Sequence, residues 1–171
     1  MIIKNKAVVA DDWTVLRPDY NDNPKQVVVP SGKIIVPFDV WQAQRESLLA
    51  RTDLGVWFKS CDRPEELQED IARFSVIAVD FSKFADGRGY TIAYMLRERL
   101  GYKGELRAIG DVLRDQLFYL QRVGFDAFAP RADKDINEAV KGLSDFSVTY
   151  QASNDEKLPL FRRVHRGVVN E

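Results

Sequence analysis

Residues 80–128 read DFSKFADGRGYTIAYMLRERLGYKGELRAIGDVLRDQLFYLQRVGFDAF. Two glycine-bearing turns, Asp86-Gly87-Arg88-Gly89 and Gly110-Asp111, each follow a strand-like run and precede a helix-like run. That order predicts two consecutive strand–helix units, and in α/β folds such junctions carry ligand sites. Ile92, Ala93, Leu96 and Leu100 fall on one side of a helix over 91–100, with Gly101 as its stop. Residues 106–109 read as a strand. Asp111 is a candidate cap for a helix carrying Leu113, Leu117 and Leu120, which Gly124 ends before a strand over 125–128.

The same alternation continues outward. Upstream, VIAVDF at 76–81 is apolar along nearly its whole length, as expected of a strand covered on both faces. Before it, 56–58 reads as a strand. Asp62, Pro64 and the spacing of Leu67, Ile71 and Phe74 predict a helix. Downstream, a helix opens at Asp133 or Asp135 and runs through Ile136, Ala139, Val140 and Leu143, and FSVTYQ at 146–151 alternates as a fifth strand. Toward the N-terminus, Ile2-Ile3 and 7–9 flank a hairpin turn at Asn5-Lys6, and residues 18–24 are loop chemistry. Residues 27–29 and 34–36 flank a second turn, and a helix starts at Asp39.

The expected fold is α/β, with a small parallel sheet of four to five strands built from consecutive βα units. It is half-barrel-like or an open three-layer arrangement, with an N-terminal β segment. The expected division is a β segment at 1–38 packing on the core, an α/β domain at 39–152, and a polar, basic tail at 153–171. A half-barrel exposes one sheet face, which the N-terminal segment, the helix near 39–51, or a second copy of the chain in a homodimer would cover.

Composition narrows the chemistry. The 171 residues have a formal net charge of −1, so no global field draws the chain toward nucleic acid or a membrane surface. No apolar run approaches the roughly 18 residues of a membrane span. The N-terminus lacks a signal-peptide pattern, so a cytoplasmic location is expected. One cysteine and one histidine exclude an intramolecular disulfide, a Cys/His zinc site, and an iron–sulfur cluster held by the usual ~4 thiolates of one chain. No GxGxxG or Walker pattern follows a strand, so no nicotinamide or P-loop site is expected, while flavin stays open.

Two readings stand for each candidate site. The turn Asp86-Gly87-Arg88-Gly89 can bind a small anion such as sulfite, sulfate or phosphate through free N–H groups and Arg88. Alternatively it is a tight turn with Arg88 paired locally. Asp80, Asp111 and Arg107 are the candidate catalytic groups at the carboxyl edge of the sheet. Gly110 and Arg114 join the ligand-binding set, and Lys59, Lys83 and Arg131 lie within possible reach. The structural alternatives are a helix cap with an Arg114 partner for Asp111 and an ion pair for Asp80. Cys61 precedes a helix start and is either reactive or an ordinary thiol. Phe118, Tyr119, Phe125 and Phe128 are core or a stacking surface. Arg162, Arg163, His165 and Arg166 form a basic tail that either docks on an acidic partner or is simply solvated.

The signature over 79–128, with weaker agreement at IIVPFDVWQAQ and the GVW strand, resembles an uncharacterised proteobacterial family labelled as oxidoreductases of sulfite reduction. Its genes typically lie beside those of assimilatory sulfite reductase. The matching positions include Asp80, Phe84, Asp86, Gly87, Arg88, Gly89, Arg97, Arg99, Gly104, Arg107, Gly110, Asp111, Gln116, Gly124 and Asp126. The family has no established catalytic residues to carry over. The resemblance implies a role in sulfur assimilation. Sulfite reduction itself needs sirohaem and an iron–sulfur cluster, for which this chain lacks the thiols. The expectation is therefore an accessory protein that binds a small anion or metabolite, the reductase, or its electron donor. A small-molecule enzyme with an Asp/Arg/Lys site and a structural assembly partner are the alternatives.

Overall fold

The computed structural model describes residues 1–163. The chain opens with β1 (Ile2–Lys4) and β2 (Ala7–Val9), paired antiparallel with Ile2 opposite Val9. The turn between them places Asn5 and Lys6 at φ of 52° and 62°. Two successive positive φ values mark the type I′ geometry that suits strand twist, so the hairpin expected from Asn5-Lys6 is present. β3 (Thr14–Val15), β4 (Ile34–Pro37), α1 (Phe38–Leu48) and β5 (Leu54–Phe58) follow. A 3-10 helix (Pro64–Arg73) leads to β6 (Val76–Phe81), then α2 (Arg88–Tyr94) with a π turn (Met95–Arg99). Next come β7 (Glu105–Gly110), α3 (Arg114–Val123) and β8 (Ala127–Phe128). α4 (Ile136–Ala139), a 3-10 turn (Val140–Ser144) and α5 (Leu160–Arg163) complete it.

The sheet has eight strands in the order β2-β1-β8-β7-β6-β5-β4-β3, more than the four or five expected. β3 to β8 run parallel, and β1 alone runs against them, antiparallel to β8 on one side and to β2 on the other. The N-terminal segment is thus not a separate cover: it supplies both edges of the sheet. That fact dictates the curvature. Seven strand spacings of about 4.8 Å would set the edges roughly 34 Å apart in a flat sheet. The link from Val9 to Thr14 reaches only about 18 Å at ~3.6 Å per residue. The sheet must curl until its edges approach, so the half-barrel is realised and the open three-layer alternative is not.

Strand parity sorts the side chains into two layers. Ile77, Val79, Phe81, Leu106, Ala108 and Phe128 point outward under the helices and form the larger core. Ile35, Trp57, Val76, Ala78 and Ile109 point inward, where Trp13 and Val15 of the N-terminal strap pack on them. Arg107 shares the inward row and is 2% exposed. A buried charge needs partners. Arg107 lies 2.7 Å from Glu105 and 2.9 Å from Asp11 of the strap, and Lys4 closes the chain of charges 2.6 Å from Glu105. The strap then lays the Leu16 carbonyl under the Trp57 indole N–H at 3.0 Å and sets Arg17 on Asp80 at 2.6 Å.

Several local expectations change. Residues 146–151 do not form a strand. The edge of β8 that they would need is taken by β1, with Ile3 opposite Phe128. Phe146, Val148 and Tyr150 are left exposed, and the Phe146 ring rests on Phe118 at 4.9 Å. Residues 27–29 are not a strand either, and Val29 packs loosely on the core. α1 is capped by Pro37, with Asp39 in its first turn. Leu113, not Asp111, precedes α3, where Gln116 accepts the Leu113 N–H at 2.9 Å. Asp135 caps α4 by accepting from the Asn137 amide at 2.8 Å. Phe125 and Phe128 are core, whereas Tyr119 is exposed. Of the basic tail, Arg163 lies 3.5 Å from Glu156, and His165 and Arg166 fall outside the described residues.

Candidate functional site at the carboxyl edge of the sheet

The parallel strands β4 to β7 end at Pro37, Phe58, Phe81 and Gly110, and the chain leaving them builds the carboxyl edge. There the end of the N-terminal strap and the loop after it enclose a cleft of about 360 Å³, lined by Arg17, Tyr20, Asp39, Trp57 and Lys59 among others. Trp57 forms its floor because parity turns it inward one residue before β5 ends. Two cations flank its ring. The Arg17 guanidinium lies 5.4 Å and the Lys59 ammonium 5.9 Å from the indole centroid, within cation–π range.

Each cation is held by one acid and keeps donors for a ligand. Arg17 gives one Nη to Asp80 Oδ1 at 2.6 Å and its side chain is 50% exposed. Lys59 gives one of its N–H bonds to Asp39 at 2.7 Å and is 46% exposed. Burial works to lower the Lys59 pKa, but the hydrogen bond and charge of Asp39, with the charge of Asp62, outweigh it and leave it raised. Lys59 therefore stays cationic at neutral pH. Asp62 accepts the Lys59 backbone N–H at 2.6 Å, and partial burial raises its own pKa. Gly110 makes room for this arrangement. At φ 92°, a Cβ there would fall 2.6 Å from the Phe81 carbonyl oxygen and 2.8 Å from Asp80 Oδ1.

The sequence-predicted residues divide among several settings. Asp80 and Gly110 are adjacent at this edge. Asp86 binds Arg88 by two hydrogen bonds of 2.9 and 2.7 Å and accepts the Arg88 amide at 3.2 Å, so the local pairing is what the turn adopts. The Arg88 side chain first, and a Ser60 hydrogen bond second, hold the Asp86 carboxyl well below the usual range. Gly87 has open space around it, but a Cβ on Gly89 would fall 2.6 Å from the Phe81 ring, so Gly89 lets α2 sit on β6. Asp111 accepts the Phe84 amide at 3.1 Å and Arg131 at 3.2 Å, bridging two loops. Arg131 also grips Asp133 at 2.9 and 2.8 Å, and that hydrogen-bonded pair draws the Asp133 pKa down to about 2.

Arg114 pairs with Asp145 at 3.0 Å, not with Asp111. Arg107 lies within β7 and is enclosed by Glu105 and Asp11, so it is not part of the edge. Lys83 and Cys61 are exposed, with the Cys61 thiol 3.9 Å from Asp62. The reading of residues along the chain missed Arg17, Tyr20, Asp39 and Trp57. Only the Trp57 position carried a local signal, as the central residue of an apolar strand run.

Among the described residues, no three His, Cys, Asp or Glu side chains gather as a metal ion would require, and no helix is long and apolar enough to cross a membrane. Residues 55–161 match the family model described as "Bacterial protein of unknown function (DUF934)". No curated protein and no solved structure matches the chain. The matched part begins in β5 and carries Trp57, Lys59, Asp80 and Gly110, while Arg17 and Asp39 precede it. That match spans well over half of the 171 residues, and the chain belongs to the DUF934 family of bacterial proteins.

Proposed function

We propose that this protein is an accessory component of assimilatory sulfite reduction that holds a small acidic ligand in the cleft between Arg17 and Lys59. One observation carries the reading. Two half-exposed cations, each with donors left over, flank one indole at the carboxyl edge of a parallel sheet. The resemblance of residues 79–128 to the sulfite-reduction family supports the pathway. With a single cysteine the chain has no cluster ligands to be the reductase haemoprotein itself. Arg88, held by Asp86, is a weaker anion candidate than Arg17 or Lys59.

The test is a thermal-shift titration with sulfite, sulfate, phosphate and flavin mononucleotide, run beside a pull-down with purified sulfite reductase. A ligand that binds only the native state raises its melting temperature. Sulfite should stabilise the parent and Arg88→Ala equally, and Lys59→Gln should weaken binding about 10- to 150-fold, the equivalent of one charge-assisted hydrogen bond of ~1.5–3 kcal/mol. A shift lost in Arg88→Ala and kept in Lys59→Gln would return the site to the Asp86–Gly89 turn. No shift with any anion and no complex with the reductase would refute the role.

A further inference from the structure

The cleft carries more acid than base. Arg17 and Lys59 face three carboxylates on its walls, Asp19, Asp22 and Asp39. Asp39 is engaged by Lys59 and by the Val40 amide at 2.8 Å. Asp22 accepts the backbone amide of Asp19 at 2.9 Å and pairs with no cation among the described residues. The Asp19 carboxylate has neither a hydrogen-bond nor an ion-pair partner among them; only its backbone takes part in the turn, where its carbonyl accepts the Asp22 amide at 3.0 Å. A purely anionic ligand on Arg17 and Lys59 would thus face two exposed carboxylates that no protein cation pairs among the described residues. A ligand with an acid group at one end and an ammonium group at the other satisfies both sets.

The spacing suits a short molecule. Arg17 and Asp19 are two residues apart, so their Cα atoms lie within about 7 Å. The volume of about 360 Å³ sits at the small end of the ~300–1,000 Å³ of ligand pockets. Pro18, Pro37, Val40 and the Trp57 face give it apolar walls that accept a short carbon chain. We propose that the cleft binds a small zwitterion, an amino acid or an amino sulfonate. Its acid group would lie on Arg17 and Lys59 and its ammonium group on Asp19 and Asp22. The proposal rests on the reading of this cleft as the ligand site and adds the chemical class of the ligand.

Isothermal titration with matched probes tests it. L-alanine and taurine are the zwitterions; propionate, ethanesulfonate, ethylamine and sulfite are the comparisons that carry charge of one sign only. At least one zwitterion should bind tenfold or more tightly than its acid half. The double variant Asp19→Asn/Asp22→Asn should abolish that advantage while the acid half binds as tightly as before or more tightly, since two negative charges facing it are gone. Asparagine keeps an oxygen acceptor for the Asp19 amide, so the turn survives, and circular dichroism confirms the fold. Alanine and taurine distinguish the carboxylate from the sulfonate class. If sulfite or ethanesulfonate binds as tightly as taurine, or the Asn variant keeps the zwitterion preference, the zwitterion is refuted and the anion reading stands. If no probe binds, both fail.

Discussion

Replacing Gly89 and Gly87 separately with alanine separates two meanings of the Asp86–Gly89 turn. An ideal Cβ on Gly89 lies 2.6 and 2.7 Å from two carbons of the Phe81 ring and 3.2 Å from Val79 Cγ1. Carbon contacts settle at about 3.5–4.0 Å, so the helix and the ring must part by roughly 1 Å. Phe81 has little freedom to yield. It is 2% exposed, its ring is held by Tyr90 at 5.6 Å and Phe125 at 5.9 Å, and β6 is hydrogen-bonded to strands on both sides. Overpacking of this kind costs about 1–3 kcal/mol, against which alanine recovers at most ~1 kcal/mol of helix propensity. Gly87 has no atom within 4 Å of its ideal Cβ and an ordinary φ of −78°. Alanine there should be neutral or stabilise by ~0.4–1 kcal/mol. The two variants should therefore differ by about 0.5–3 kcal/mol in urea unfolding, with Gly89→Ala the less stable, read as a shift of the midpoint at constant slope. Equal stabilities, or a more stable Gly89→Ala, would show that α2 does not rest on Phe81. The glycine would then be free to serve close approach of a ligand.

Other outcomes follow from buried partners and depressed acids. Arg107→Ala leaves Asp11 and Glu105 without their buried cation and should cost ~3–5 kcal/mol in denaturant unfolding, whereas a site-edge role would leave stability nearly intact. Asp133 has a folded pKa drawn down to about 2 from 3.8, so its contribution is present above about pH 4 and is lost as pH falls through about 2. Asp133→Asn should melt below the parent at neutral pH, and the two curves should converge toward pH ~2; a constant gap would contradict the Arg131 pair. Val148→Ser with Tyr150→Ser should change stability by no more than about 0.5 kcal/mol, because both side chains are exposed. A loss of several kcal/mol would mean that the segment does pair as a strand.

Alternation and helical spacing are local signals, and they held where the local chain decides. Asn5-Lys6 turned as expected because two positive φ values satisfy a hairpin without help from afar. Gly124 ended α3 at φ 118° for the same kind of reason. The strand at 76–81 was legible because burial on both faces makes its whole run apolar. Where a partner lies far along the chain, the signal failed. Residues 146–151 alternate like a strand, but pairing needs an edge, and β1 from the opposite end of the chain had taken it. Asp111 has the look of a helix cap, yet Leu113 takes that position and Asp111 bridges Phe84 and Arg131.

By itself, then, the sequence determined an α/β chain of successive βα units, the turn positions between them, and the acids and glycines that gather at strand ends. It also bounded the chemistry through a single cysteine and a single histidine. Tertiary structure decided the eight-strand curl, because both sheet edges come from one short N-terminal stretch whose link cannot span a flat sheet. It decided as well that Arg107 is an interior charge and that Arg17 meets Asp80 across 63 residues. A cation's role depends on which distant acid closure brings to it, and no local periodicity encodes that meeting.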